Sequence, residues 1–346
     1  MTSAQRPGAV RSVPGISPGE AATVCSRYDL GTILEVRELV RGSRGSPKVV
    51  LKTSRGLFLL KRRGPGRDDP RRVALSHQVQ LYLASVSFPV ARLIGTREEN
   101  NSMLQLGTWV YELFEFIPGT PFDRSDAATH RAGELLARYH GAMAGFVPLW
   151  PVPRARNYAS WDPAAGLRPA LREARGRAGA RAAARQLVGL YEEARRRGAE
   201  VGAGALADGF VHGDWHPGNM IFRAREIAAV IDHDSVGRGP RLLDIATGAL
   251  QFSITREGAR LALWPEQAHR GRLAAFLAGY HEGARTRLSP GEAALLPWLM
   301  IEAMVVEAAT VAGRRRTRLD IEGFLGMAAR KSGWLAENAA EVSALA

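Results

Sequence analysis

Between Phe210 and Phe222 the chain reads Phe-Val-His-Gly-Asp-Trp-His-Pro-Gly-Asn-Met-Ile-Phe. Two histidines, an aspartate and an asparagine fall within eight positions, His212 to Asn219, bounded by apolar runs. A polar loop so bounded starts and ends in buried structure, which is how reactive side chains are held still. A second segment follows, Ala229-Val230-Ile231-Asp232-His233-Asp234, and then Gly239-Pro240-Arg241-Leu242-Leu243-Asp244-Ile245-Ala246. If Met220 to Arg223 and Ala228 to Ile231 pair as a hairpin centred between Arg225 and Glu226, Asn219 stands opposite Asp232. Opposed residues on antiparallel strands have Cβ atoms about 4.5–5.5 Å apart. An amide oxygen and a carboxylate at that separation form a two-ligand seat for Mg²⁺, which completes its oxygen shell with water and substrate phosphates. Asp214 is left free to act as a base. The Ala-Arg-Glu turn is poor chemistry for a tight hairpin, so this register is an expectation for the structure to test. Zinc on His212, Asp214 and His216 is disfavoured, since no third His or Cys follows at ligand spacing.

Several elements must position these residues. Ser17-Pro18-Gly19-Glu20 has the pattern of a capping box, opening a helix to about Tyr28. Short β-prone runs follow at Glu35 to Val40, Lys48 to Thr53 and Leu57 to Arg62, separated by Gly- and Ser-bearing turns. A helix is expected from Asp69-Pro70 to Ala84, then strands at Ser102 to Leu106 and Thr108 to Phe116. Beyond Gly119 the periodicity is helical, over 125–145, 165–198, 241–253, 266–284, 289–312 and 319–340. The expected division is a disordered segment 1–17, an N-terminal lobe 18–117 and a helical C-terminal lobe 118–346.

The spacing His212-x-Asp214-x4-Asn219 is that of the protein-kinase catalytic loop, with Gly213 where those enzymes have Arg. HGDWHPGN and IDHDSVGRGPRLLDIA resemble the two signature motifs of the aminoglycoside phosphotransferase and choline-kinase-like group. That group includes type II homoserine kinases and spore-coat kinase-like proteins, and the resemblance runs from about Tyr28 to Gly283. It implies an α+β, protein-kinase-like bilobal fold, with a small antiparallel-sheet N-lobe and a larger, mostly helical C-lobe. It also implies an ATP- and Mg²⁺-dependent phosphotransferase acting on a hydroxyl of a small molecule. Asp214 would accept or orient the hydroxyl proton, and Asn219 and Asp232 would hold Mg²⁺. His212, His216 and Asp244 would support the loop. Lys61, at the end of Leu57-Phe58-Leu59-Leu60-Lys61, would reach the α- and β-phosphates. Ser43, Gly45 and Ser46 would belong to the phosphate-covering loop, and the backbone of Glu115 to Ile117 would meet adenine.

One departure stands out. The family pairs its strand lysine with a Glu on the following helix, yet Arg71 to Leu83 has no acidic residue. Ser76 falls near the expected place, with Gln78 and Gln80 within a turn. Gln80 bonds Lys61, or a carboxylate comes from elsewhere, or nucleotide binding is weak. The last case keeps open an alternative: a catalytically weak kinase-like structural or binding protein.

Composition bounds the rest. The formal net charge is +13 over 346 residues, and all but four of the 47 basic residues are arginine. The charge is dispersed, 17 basic and 10 acidic residues in 1–118 against 30 and 24 in 119–346, so no specific nucleic-acid partner is expected. Where arginine is the habit, Lys61 within an apolar strand calls for a reason. The lone Cys25 excludes a disulfide framework and suits a cytoplasmic location. The most apolar stretch, Leu296 to Gly313, carries Glu302 and Glu307, so no membrane association is expected. The same glutamates, with Glu282, could give local acidity in the substrate region. The acceptor and the oligomeric state carry no signal.

Overall fold

A computed structural model describes residues 15–40, 45–155, 162–172, 178–202, 206, 208–313 and 320–346. The chain divides into two compact units. One comprises Met1–Ser85, Val90–Pro118 and Pro148–Trp150; the other comprises Val86–Pro89, Gly119–Val147 and Pro151–Ala346. Of the N-terminal segment 1–17, residues 1–14 lie outside the described residues.

The first unit opens with α1 (Pro18–Cys25). Its capping box is complete: Ser17 Oγ accepts the Glu20 N–H at 3.2 Å, and the Glu20 carboxylate accepts the Ser17 N–H at 3.4 Å. Strands β1 (Ile33–Glu38), β2 (Lys48–Thr53) and β3 (Gly56–Arg62) form an antiparallel meander, followed by α2 (Pro70–Ser85). Asp69 Oδ1 accepts the N–H groups of Arg71 and Arg72, which sets where α2 begins. Then come β4 (Leu104–Leu106) and β5 (Trp109–Glu115), giving one five-stranded sheet in the order β1-β2-β3-β5-β4. Placing β5 beside β3 sets Lys61 directly opposite Glu112. Val49, Leu51, Leu60 and Leu113 line the core with Val24 and Tyr28 from the α1 segment. Truncating a fully buried leucine such as Leu60 to alanine costs about 2–5 kcal/mol.

The second unit contains α3 (Asp126–Met143), α4 (Pro163–Arg172), α5 (Ala178–Glu200), β6 (Asp208–Val211), β7 (Met220–Arg223), β8 (Glu226–Val230), β9 (Gly237–Pro240), α6 (Leu242–Ser253), α7 (Arg270–Ala284), α8 (Pro290–Ala312), α9 (Ile321–Glu337) and α10 (Ala339–Ala344). The helix expected over 165–198 is helical wherever it is described, as α4 and α5, with 173–177 outside the described residues. Helices α3 and α7 pack so closely that a Cβ on Gly133 would lie 2.0 Å from the Phe276 carbonyl oxygen. Glycine permits that approach, and it holds Tyr280 near His140. Helix α8 is long and apolar enough to cross a membrane, but 67% of its most apolar stretch is buried inside the protein, as in a core helix. Two small antiparallel pairs, β6-β9 and β7-β8, bracket the polar loop.

Candidate active site

Strand β6 delivers the chain into the loop through His212, which is fully buried against the rings of Tyr139, Trp215 and His233, at centroid distances of 5.6, 5.3 and 5.3 Å. Burial lowers the His212 pKa despite the nearby carboxylates of Asp244, Asp214 and Asp232. Trp215 is also fully buried and donates from its indole N–H to the Ala132 carbonyl at 3.2 Å. Between them Gly213 has φ +75°, and a Cβ there would lie 2.3 Å from the Ser235 carbonyl oxygen. A glycine is required at this point. Asp244, buried at the start of α6, receives the His212 N–H on Oδ2 at 2.6 Å and the Gly213 N–H on Oδ1 at 2.8 Å. Its Oδ2 also lies 3.2 Å from His140 Nε2, and His140 Nδ1 meets the Tyr280 hydroxyl at 3.0 Å. The contact joins residues 104 apart in the chain, so nothing in the local pattern around His140 signals it.

This scaffold leaves Asp214 accessible, its side chain 44% exposed. Asn219 Nδ2 donates to Asp214 Oδ2 at 2.9 Å and to the Asp214 carbonyl at 3.0 Å. His216 Nε2 lies 3.5 Å from the same Oδ2, while its Nδ1 accepts the Gly218 N–H at 2.9 Å. Accepting through Nδ1 leaves the neutral ring's proton on Nε2, facing Asp214. Burial would raise the Asp214 pKa, but His216, His212 and the Asn219 amide outweigh it and hold the carboxyl below its usual range. His216 is shifted the other way: burial lowers it, but the Asp214 carboxylate prevails and raises it.

The expected hairpin exists, but its register is shifted, by one residue beside Asn219 and by two beyond a bulge. Met220 pairs with Val230, Ile221 with Ala229, Phe222 with Ile227 and Arg223 with Glu226, and the Ile231 N–H donates to the Asn219 carbonyl. Asn219 therefore stands beside Ile231 and not Asp232. The turn is the two-residue Ala224-Arg225 with Ala224 in the left-handed region, φ 53°, and a bulge between Ile221 and Phe222 absorbs Ala228. Asp232, two residues past β8, turns the chain at φ 65° and ψ 69°, in the left-handed region that aspartate tolerates better than most residues.

The donor chemistry suits a hard cation that also takes phosphate oxygens. Asn219 spends its Nδ2 on Asp214, which leaves Oδ1 as its free acceptor end. Asp232 interacts electrostatically with His212 and His216, which brings a carboxylate to the same loop. Among the described residues no three His, Cys, Asp or Glu gather as a protein-only metal cage. One carboxylate plus one amide oxygen is the sparse set that Mg²⁺ takes when phosphates complete its shell.

In the first unit Lys61 Nζ lies 3.3 Å from Glu112 Oε2. Arg63 and His77 both reach Glu112 Oε1 at 2.6 Å, and His77 Nδ1 meets Ser102 Oγ at 2.8 Å. Burial would raise the Glu112 pKa, but Lys61, the His77 hydrogen bond and Arg63 hold it well below the usual carboxylate range. The carboxylate missing from α2 thus stands across the sheet on β5. Gln80 is engaged elsewhere, donating to the Ala91 carbonyl. The signal for Glu112 was a charged residue inside the apolar run Trp109–Phe116, readable only with the strand order.

Ser43 lies outside the described residues. Ser46 is buried; its Oγ accepts the Gly64 N–H at 3.2 Å, and the Gly45 carbonyl lies where a Cβ on Gly64 would be. Glu115 is exposed at the end of β5 and donates its N–H to the Arg92 carbonyl at 2.8 Å; half-buried Ile117 follows. Glu307, on α8, accepts from Gln251 Nε2 at 2.8 Å and interacts electrostatically with His216 and Asp214. Glu302, one and a half turns earlier, is buried.

Residues 36–296 match the phosphotransferase enzyme family. The chain belongs to that family. Homoserine kinase of Beijerinckia indica subsp. indica is 28% identical over 221 residues, 63% of this chain. The aligned part spans 64% of that relative, just under two thirds of its length. Among solved structures, a microcompartment-associated aminopropanol kinase superposes with a TM-score of 0.70 at 16% identity, over 94% of this chain and 99% of its own. An amicoumacin kinase in complex with AMP-PNP, Ca²⁺ and Ami gives 0.64 at 14% identity, over 94% and 93%. At such identities the likeness shows the fold, which is protein-kinase-like, with an antiparallel sheet and many helices as the sequence implied.

Proposed function

We propose that this protein is a small-molecule kinase that transfers the γ-phosphoryl group of ATP to an alcohol hydroxyl, with Mg²⁺. The observation that carries this reading is the loop itself: an accessible Asp214, clamped by Asn219 and His216, on a backbone fixed by Asp244. Phosphoryl transfer asks a protein for in-line positioning and for neutralisation of oxygen charge, with little covalent chemistry. Asp214, ionised at neutral pH, accepts a hydrogen bond from the acceptor hydroxyl and aims its oxygen. A carboxyl held below its usual range is a weak base, so it takes the proton late, as the bond to phosphorus forms. His212 and His216 hold the loop without exchanging protons with substrate. Asn219 Oδ1 and the Asp232 carboxylate are the groups that would hold Mg²⁺, whose charge when bound neutralises phosphate oxygens. Lys61 reaches the α- and β-phosphates, and Ser43, Gly45 and Ser46 belong to the segment that covers them. The backbone of Glu115 to Ile117 meets adenine.

The family match supports the reaction type, and the AMP-PNP in the amicoumacin kinase supports a nucleoside triphosphate. The non-catalytic alternative was motivated by a lysine without a carboxylate, and Glu112 removes that motive. The acceptor is a small hydroxyl compound, homoserine and aminopropanol being the first to try, and the protein acts in the cytoplasm. The test is ADP release and ³¹P NMR of products, with Mg²⁺-ATP and a panel of amino alcohols, hydroxy amino acids and aminoglycosides. A phosphorylated acceptor is expected. Absence of Mg²⁺-dependent ATP binding together with absence of turnover on every acceptor overturns the proposal.

A further inference from the structure

We infer that Glu112, a strand residue, positions Lys61 for the nucleotide phosphates in place of a helix carboxylate, so that the sheet and not α2 presets this lysine. The inference rests on the phosphotransferase reading. Its basis is an unequal division of one carboxylate. Oε1 is pinned at 2.6 Å by both Arg63 and His77, whereas Oε2 faces Lys61 at the longer 3.3 Å. Arg63, His77 and Glu112 side chains are 1–3% exposed, and Lys61 is 16% exposed. The group is thus a buried anchor from which one ammonium reaches outward.

Burying a carboxylate costs several kcal/mol before its partners repay it, so a merely structural site would favour apolar residues of similar size. Holding an ammonium at a fixed point is a role that apolar residues cannot perform. Lys61 and Glu112 are directly paired on adjacent strands, so their separation is set by the sheet's own hydrogen bonds. A helix-borne carboxylate instead moves with its helix, which gives kinases a switch. In this chain α2 offers no carboxylate, and its contribution is His77, which orients Glu112. Glu112 is therefore a positioning residue that acts through Lys61.

The test is a double-mutant cycle on Mg²⁺-ATP affinity with Glu112→Gln, Lys61→Met and both together, each checked by thermal unfolding. Glu112→Gln is expected to weaken ATP binding about tenfold or more, the scale of one charge-assisted hydrogen bond. In the Lys61→Met background the same change should have an effect within about twofold, because the residue through which it acts is gone. At saturating ATP the acceptor KM should stay within about twofold of wild type. Equal losses in both backgrounds would mean general damage and overturn the inference, as would unchanged ATP affinity in Glu112→Gln. Glu112→Asp guards against misfolding: it keeps the charge for Arg63 and His77 but shortens the reach to Lys61, and weakened ATP binding is again expected. Unaltered affinity in that variant also overturns the inference. If wild type binds no Mg²⁺-ATP, the phosphotransferase reading itself fails first.

Discussion

Replacing Gly213 by alanine places a methyl group 2.3 Å from the Ser235 carbonyl oxygen, in a backbone at φ +75°. Ordinary contact begins near 3.4 Å, so the loop or the Ser235 backbone must retreat by about 1 Å. Neither moves freely. The Gly213 N–H is fixed to Asp244 at 2.8 Å, and Ser235 lies in the short turn His233–Ser235 just before β9. Left-handed alanine costs about 1–2 kcal/mol and overpacking adds about 1–3, so destabilisation of about 2–5 kcal/mol is expected. Gly213 adjoins Asp214, and a displacement of about 1 Å in a positioning group can lower turnover by about a hundredfold. The assay is kcat at saturating ATP and acceptor, beside urea unfolding of the same preparations. A variant with kcat within about threefold of wild type and an unchanged unfolding midpoint would refute the reasoning, because the loop would have absorbed the methyl group without moving Asp214.

Two further outcomes concern pH. His216 holds the Asp214 carboxyl down against burial, so His216→Gln should move the acid limb of kcat/KM to higher pH; an unmoved limb would separate the two residues. Glu302 is buried, Arg195 opposes only part of the desolvation, and its pKa is pushed up to about 7. The folded state therefore binds this proton more tightly than the unfolded one, and its stabilising contribution is lost as pH rises from the ordinary carboxylate value through about 7. Glu302→Gln should gain up to about 3 kcal/mol over wild type by pH 8 and little near pH 4. Urea unfolding across that range measures the difference, and a constant offset at all pH values would contradict the assignment.

Local chemistry made much of the architecture legible. The Ser17–Glu20 box, the strand Lys48–Thr53 and the helical periods beyond Gly119 each depend on residues near one another in the chain. The polar loop was legible for the same reason, since His212 to Asn219 is contiguous. What escaped was set by distant pairing. Glu112 meets Lys61 only because β5, not β4, lies next to β3. His140 reaches Asp244 across 104 residues. The register of β7 and β8 turned on a bulge at Ala228 and a left-handed Ala224, and neither residue type advertises such a role. The strand Gly237–Pro240 has a composition that argues against strands, and it forms because β6 lies alongside it.

The central claim is that Asp214 directs an acceptor hydroxyl onto the γ-phosphate of Mg²⁺-ATP. Its most direct test is single-turnover transfer of labelled γ-phosphate to the acceptor by wild type and Asp214→Asn, with ATP affinity measured on both. The substitution keeps shape and removes the charge that receives the proton. ATP affinity should stay within about twofold while the transfer rate falls by about a hundredfold or more. Transfer by Asp214→Asn at the wild-type rate would contradict the account.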